Sequence, residues 1–82
     1  MPKFFFDTKL DDITFQDPDG ADFGSAEEAA QQAIEDAAAY AGDRIAHGRE
    51  LDDEVKIVRS EAGEIIAQFT LREALERMSR NG

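Results

Sequence analysis

Chemically reactive side chains are scarce in this chain of 82 residues, which has no cysteine, no tryptophan and a single histidine, His47. The absence of cysteine excludes disulfides, thiolate nucleophiles and cysteine-ligated metal sites within the chain. One imidazole also leaves few groups that titrate near neutral pH. These shortages weigh against an enzyme, and we expect neither catalytic residues nor a cofactor.

Basic residues are scarce as well, at nine against nineteen acids, for a formal net charge of -10. Such an excess of negative charge repels phosphate backbones, so nucleic acid is not an expected partner. No stretch approaches the roughly 20 apolar residues of a membrane span, and the N terminus lacks the apolar stretch of a signal peptide. We therefore expect a cytoplasmic protein that contacts no membrane.

Hydrophobic residues make up 41% of the sequence. That share is enough to form a core, but the length leaves room for only one small domain. We therefore predict a single domain over residues 1–82, with a core over 1–70 and a C-terminal helix over 71–80.

Alternating apolar and polar residues predict two strands at each end of this core. The first pair covers Lys3–Asp7 and Asp12–Asp17, and the second covers Glu54–Ser60 and Ile65–Thr70. Each pair is joined by a short polar or glycine-containing link, which is typical of an antiparallel hairpin.

Helix signals lie between and after the hairpins. Ser25 and Glu28 have the spacing of a capping box, and alanine-rich sequence follows them. A long helix should begin at Ala26, and Gly48 is placed to end it. The pattern Thr70-Leu71-Arg72-Glu73 repeats the capping box at the start of the C-terminal helix.

The fold class that these elements predict is α+β: a two-layer sandwich with a four-stranded, mainly antiparallel sheet in ββαββ order, one long helix on one face and a short C-terminal helix. Strand alternation assigns a set of apolar residues to the face that meets the long helix. They are Phe4, Phe6, Ile13, Phe15, Val55, Ile57, Ile65, Ala67 and Phe69.

The opposite face of the predicted sheet would then carry Phe5, Val58 and Ile66. An apolar patch of this kind is normally covered. Either the C-terminal helix covers it or another protein does. The candidate interaction face therefore combines these residues with one side of that helix: Phe5, Val58, Ile66, Leu71, Leu75 and Met78.

Several short motifs resemble one family of small bacterial proteins. They are the opening Met1-Pro2-Lys3-Phe4-Phe5-Phe6-Asp7, the segment Asp17-x-x-Gly20-x-x-Phe23 before an alanine-rich helix, and Val55-x-Ile57 with Glu61-x-Gly63 in the last hairpin. The family is a domain of unknown function whose members commonly begin Met-Pro-x-Tyr-Phe-Phe-Asp, so Phe4 replaces a common tyrosine. The resemblance covers roughly residues 1–70. It implies the ββαββ order and brings no activity, catalytic residue or ligand.

The segment Asp17–Glu28 partly matches a calcium-binding loop of the EF-hand type. Asp17, Asp19 and Glu28 match ligand positions 1, 3 and 12. Ala21 and Asp22 occupy positions 5 and 6, where a ligand and a glycine are required. A turn followed by the acidic first turn of a helix explains the same residues, so we expect no specific metal binding.

His47 falls at the predicted end of the long helix, where the helix dipole favours a protonated imidazole. Asp43, four residues earlier, is the one neighbour that helical spacing offers as a metal or catalytic partner. Two such groups are too few for a metal site or a catalytic one.

The leading functional interpretation is a non-catalytic protein–protein interaction module, with a homodimer as one form. An antitoxin-like or regulatory adaptor that binds a basic protein partner is the alternative, and a small enzyme is the third hypothesis.

Overall fold

The computed structural model describes residues 1–81. Within them, the elements follow in the order β1 (Lys3–Leu10), β2 (Ile13–Phe15), β3 (Ala21–Asp22), α1 (Ala26–Ala46), β4 (Val55–Ser60), β5 (Ile65–Thr70) and α2 (Leu71–Asn81). The predicted α+β class is confirmed, and β3 is an additional short strand. Neither helix in this part of the chain is both long and apolar enough to cross a membrane.

The sheet is antiparallel throughout, with the strand order β2-β1-β4-β5. β2 pairs with the end of β1 and β3 pairs with its beginning, so both lie on the same edge of β1. In this register Phe6 lies opposite Val58 on β4, and Thr8 lies opposite Phe15 on β2. Residues that are directly opposite point to the same face of a sheet.

The long helix α1 has the predicted ends. The Ser25 hydroxyl accepts a hydrogen bond from the Glu28 amide at 3.2 Å, so Ser25 caps the first turn. At the other end Gly48 adopts a positive φ of 71°. Its amide donates to the Ile45 carbonyl at 3.0 Å, and the Arg49 amide donates to the Arg44 carbonyl at 2.9 Å. These two bonds form a Schellman motif, which satisfies carbonyls that the helix end leaves free.

Helix α2 begins directly after β5, at a reciprocal capping box. The Glu73 amide donates to the Thr70 hydroxyl at 3.1 Å, and the Thr70 amide donates to the Glu73 carboxylate at 3.0 Å. Both orphan donors are therefore satisfied within four residues, and no loop is needed between strand and helix.

Both helices lie on the same face of the sheet, and α2 packs beside α1. The prediction that α2 could cover the opposite face is therefore wrong. Its apolar side is buried against α1 instead, because the small alanine side chains of α1 allow close approach of both the sheet and α2. The core consists of Phe4, Ala29, Ala33, Ile34, Ala37, Ala38, Ala41, Val58, Phe69, Leu71 and Ala74.

The predicted assignment of faces is wrong for β4 and for part of β5. Val58 is fully buried beneath the helices, since it lies opposite Phe6. Val55 and Ile57 therefore point to the opposite face. On β5 a bulge interrupts the alternation next to Val58, so Ile66 packs against the core and Ile65 is exposed.

The predicted burial of Ile13 and Phe15 under the long helix is also wrong. Phe15 shares a face with its partner Thr8, yet both Ile13 and Phe15 are 59% exposed. The helices are the reason, because α1 packs on β1, β4 and β5, and α2 packs on β5 and α1. The corner of the sheet formed by β2 is therefore left without a helix over it.

Candidate functional site

The residues predicted to form an interaction face do not share a surface. Val58 and Leu71 are fully buried in the core. Ile66, Leu75 and Met78 are partly buried and pack against that core. Phe5 lies on the other face of the sheet, because it neighbours Phe4 and Phe6 on β1. The predicted set therefore mixes core residues with one residue of the helix-free face.

A groove of about 240 Å³ lies between α1 and the sheet. Most of its residues come from two sources, the helix-facing side of β1 and β4 and one side of α1, and Asp7 and Ile57 of the same strands complete the lining. The helix residues are three or four positions apart, so they line up along one side of α1. The main lining residues are Phe6, Thr8, Ala33, Asp36, Ala37, Tyr40, Lys56 and Val58.

Exposed apolar side chains of β2 extend this groove outward. Phe15 lies opposite Thr8 and Ile13 lies opposite Leu10, so both continue the same face of the sheet. Tyr40, on the helix side, is 44% exposed. We call the groove together with Ile13 and Phe15 the β2 groove. It is an apolar surface bounded by a helix on one side and by an edge strand on the other.

Lys56 brings a positive charge to the floor of the β2 groove, and that charge is held in place. Its Nζ lies 2.8 Å from Glu54 Oε1 and donates to Thr8 Oγ1 at 3.1 Å. It also lies 5.9 Å from the centroid of the Tyr40 ring, within the range of a cation–π contact. The groove therefore offers apolar contacts together with a fixed set of polar groups.

Tyr40 is fixed by a second cation. The Arg44 guanidinium carbon lies 5.7 Å from the centroid of the Tyr40 ring, and Arg44 Nη1 is 3.4 Å from the Tyr40 hydroxyl. Arg44 is anchored in turn, because its Nε and Nη2 both donate to the Glu50 carbonyl. The aromatic wall of the groove is thus tied to the segment that leads into β4.

A separate polar cluster joins β1, β4 and the loop after β2. Arg59 Nε donates to Asp7 Oδ2 at 2.8 Å, and Asp7 Oδ1 accepts the Asp17 amide at 3.0 Å. Asp17 then accepts the Phe6 amide at 3.2 Å through Oδ2. Since β2 and β3 leave the middle of β1 without a strand on that edge, the Asp17 carboxylate takes the place of a strand carbonyl.

This cluster shifts the pKa values of its charged groups. Burial raises the pKa of Asp7, but the hydrogen bond from Arg59 and the bond from the Asp17 amide outweigh it, so the pKa is lowered overall. Burial likewise raises the pKa of Asp17, and backbone amides of Gly20, Phe6 and Asp19 lower it by more. The hydrogen bond to Asp7 raises the pKa of Arg59. The cluster is built to hold both aspartates ionised.

The segment considered as a calcium loop uses its key carboxylates for other contacts. Asp17 Oδ1 accepts the amides of Asp19 and Gly20, both at 3.2 Å, as an aspartate does when it organises a turn. Glu28 Oε2 accepts the Gly24 amide at 3.2 Å, at the start of α1. Within residues 1–81, no group of three or more histidine, aspartate or glutamate side chains is arranged to hold a metal ion.

His47 lies at the C-terminal end of α1, where the sequence places it. Its Nδ1 is 2.8 Å from the Asp43 carbonyl and 3.6 Å from the Asp43 carboxylate. Both side chains are largely exposed. The pair caps the end of the helix and lies outside the β2 groove.

Sequence patterns do not predict most of the residues that form these sites. In the sequence, Lys56 lies between apolar residues of β4 and has no motif around it. Asp7 is only the last residue of an aromatic opening motif. Tyr40 carried the best available signal, because it is the single tyrosine and flanks an otherwise alanine-rich stripe. Asp17 was recognised as a turn residue, but its contact with β1 depends on the folded sheet.

The fold and its sites define a small α+β protein with two helices on one face of an antiparallel sheet. Residues 3–72 match the family described as Domain of unknown function (DUF6894), and the chain belongs to that family. No curated protein matches it significantly. No solved structure does so either.

Proposed function

We propose that this protein is a non-catalytic protein–protein interaction module and that the β2 groove is its docking surface. The observation that carries the proposal is the uncovered corner of the sheet, where Ile13 and Phe15 are each 59% exposed beside the groove. Exposed apolar patches next to a concave surface are typical of protein-binding sites. Tyr40 adds an aromatic residue of the kind that is enriched among residues dominating binding energy.

At about 25 cal/mol per Å², covering the exposed parts of Ile13, Phe15 and Tyr40 would contribute several kcal/mol to an association. The polar groups in the groove already have partners, since Lys56 is paired with Glu54 and bonded to Thr8. A partner would therefore bury apolar surface without leaving this charge unpaired.

We place this activity in the cytoplasm of a bacterium, in line with the resemblance to small bacterial proteins. Self-association through the β2 groove is one form of the proposal, and docking of a different protein is the other. Both predict a direct protein contact at the same residues.

In-cell photocrosslinking tests the proposal at single-residue resolution. Phe15 is replaced by the photoreactive analogue p-benzoylphenylalanine in cells that express the chain natively. The matched control carries the same analogue at Ile65, which has the same degree of exposure but lies on the opposite face of the sheet. We expect a protein adduct from position 15 and little or none from position 65.

The mass of the adduct separates the two forms. Twice the mass of the chain indicates self-association, and any other mass indicates a different protein. Equal adducts from both positions, or none from position 15, would contradict docking at the β2 groove.

A further inference from the structure

We infer that the β2 groove accepts a basic amphipathic helix of a different protein. This inference rests on the proposed function and adds the chemistry of the partner. Grooves of this kind commonly bind a helix through apolar anchors at positions i, i+3, i+4 and i+7. The β2 groove has a helix as one wall and an apolar sheet as its floor, so it resembles a helical layer from which one helix is missing.

The position of α1 supports a helical occupant. α2 packs along one side of α1 above β5. The other side of α1 carries Asp36 and Tyr40 and faces the β2 groove, with Phe15 exposed beyond it. A partner helix lying there would continue the helical layer across the sheet, with its apolar side on Phe15, Phe6 and Tyr40.

Charge on this side of the molecule selects a basic partner. Between Lys9 and Arg44 the sequence contains ten acidic residues and no basic one. That stretch supplies β2, β3, their turns and most of α1, and three of its acids border the groove. Asp36 is in the wall, while Asp11 and Asp12 form the exposed turn into β2. Charge complementarity of this kind accelerates association and disfavours partners of the wrong sign.

Two basic residues lie near the groove, and neither cancels the charge of these acids. Lys56 is paired with Glu54 at 2.8 Å. Arg44 donates to the Glu50 carbonyl and stacks on Tyr40. Both side chains are held by contacts within the protein. Arg44 keeps its charge, but Asp36 and the two turn aspartates outnumber it and are exposed to an incoming segment.

A second copy of the chain does not supply such a helix. Within residues 1–81, most helical bases lie on α2, as Arg72, Arg77 and Arg80. The apolar side of α2 is already in the core, where Leu71 and Ala74 are fully buried. A copy would have to unfold to present it, and a different protein is therefore the occupant.

The probe for this inference is a synthetic helix of about 18 residues, or five turns, built from leucine on one side and lysine on the other. A matched peptide carries glutamate in place of lysine. Amide chemical shifts of the full chain are followed during titration with each peptide. We expect saturable binding of the lysine peptide with shifts concentrated at Thr8, Phe15, Asp36 and Tyr40, and no binding of the glutamate peptide.

Two pairs of variants separate groove binding from general attraction to an acidic protein. Phe15→Asp should weaken binding of the lysine peptide at least tenfold, whereas Ile65→Asp, equally exposed on the other face, should not. Asp36→Lys should weaken it severalfold more than Glu76→Lys on the exposed side of α2, although both change the net charge equally.

Three results would overturn the inference: absence of binding by the lysine peptide, equal effects of the paired variants, or shifts spread over the whole acidic surface. The proposed function fails separately. If position 15 gives an adduct in cells but the lysine peptide does not bind, only the basic-helix inference fails. If position 15 gives no adduct, the docking surface itself is contradicted.

Discussion

Arg59 lies across the sheet from Phe5 and diagonally from Asp7, and it contacts both. Its Nε donates to Asp7 Oδ2 at 2.8 Å, and its guanidinium carbon lies 4.6 Å from the centroid of the Phe5 ring. One side chain thus pairs a buried carboxylate and covers an aromatic ring. Phe5 is half-buried between Arg59 and the turn at Gly20, although no helix within residues 1–81 packs on that face.

The first prediction concerns the Asp7–Arg59 pair at neutral pH. Asp7→Asn should lower the free energy of unfolding by about 2 kcal/mol, the usual scale for a hydrogen bond to a charged group. Asparagine keeps an acceptor for the Asp17 amide but loses the ion pair with Arg59. Urea denaturation at pH 7 measures the difference, and Asp53→Asn, at an exposed position, removes the same charge as a control.

The pH dependence of the same variant follows from the lowered pKa of Asp7 in the folded protein. The unfolded chain takes up the proton first, near the ordinary value of 3.8. The contribution of Asp7 to stability is therefore present above pH 3.8 and is lost as the pH falls through the lower folded pKa. In Asp7→Asn, stability should fall less steeply below pH 4 than in the wild type. Parallel curves for the two proteins would contradict this.

The ends of the helices could be predicted because they depend on local chemistry, whereas β1 runs to Leu10, three residues past its predicted end, and β2 covers only Ile13–Phe15. The Ser25–Glu28 box, Gly48 and the Thr70–Glu73 box each act within a few residues, and all three have their predicted roles. Such signals need no knowledge of the tertiary structure. The class of fold followed from their order.

The faces of the strands could not be read in the same way. β4 has apolar residues in both phases of its alternation, since Val55 and Ile57 occupy one and Val58 the other. Pairing of Val58 with Phe6 decides between the phases, and that pairing is a tertiary contact. The bulge at Ile66 then breaks the pattern of β5. Lys56 lies on the core-facing side of β4, and a charged residue there makes the alternation predict the wrong face. Glu54 and Thr8 satisfy its charge and its hydrogen bonding only in the folded protein.

The β2 groove could not be predicted from the sequence for a related reason. Phe15, Tyr40 and Lys56 lie far apart in the chain. Tyr40 and Lys56 meet only when α1 crosses β1 and β4, and Phe15 reaches the same face by pairing with Thr8. The alternation of β2 correctly predicts that Phe15 lies on the helix-facing side of the sheet. It carries no information on how far a helix extends across that sheet, so it cannot predict that Phe15 is exposed.

Helix capping gives the second prediction. Ser25→Ala should destabilise the protein by about 1 kcal/mol, because the Glu28 amide loses its acceptor. Thr70→Ala should have an effect of similar size at the start of α2. Ser79→Ala, within α2, removes a hydroxyl that caps no helix start and serves as the control. Urea denaturation compares the three, and a Ser25→Ala change no larger than the control would mean that the hydroxyl does not cap α1.

The third prediction concerns two glycines, whose replacement by alanine should change the stability of the protein in opposite directions. Gly20 has a φ of 70°, and a Cβ there would lie 2.9 Å from both Lys3 Cγ and Phe5 Cε1. Gly20→Ala should therefore destabilise the fold by about 1–2 kcal/mol, through backbone strain and crowding. Gly42 lies inside α1, and a Cβ there meets nothing within 4 Å. Gly42→Ala should stabilise the protein by about 0.5–1 kcal/mol. Thermal unfolding of the pair checks both signs.

The last prediction tests the strand register on which the β2 groove depends. Val58 is fully buried opposite Phe6, whereas Ile65 is 60% exposed on the helix-free face. Val58→Asp would place a carboxylate without a partner in the core, so it should destabilise the protein by more than about 4 kcal/mol and abolish the cooperative fold. Ile65→Asp should change stability by less than about 1 kcal/mol. Circular dichroism and urea denaturation distinguish the two variants. If Val58→Asp instead retains wild-type stability, Val58 lies on the helix-free face, β4 is shifted by one residue against β1, and Lys56 no longer forms the floor of the groove.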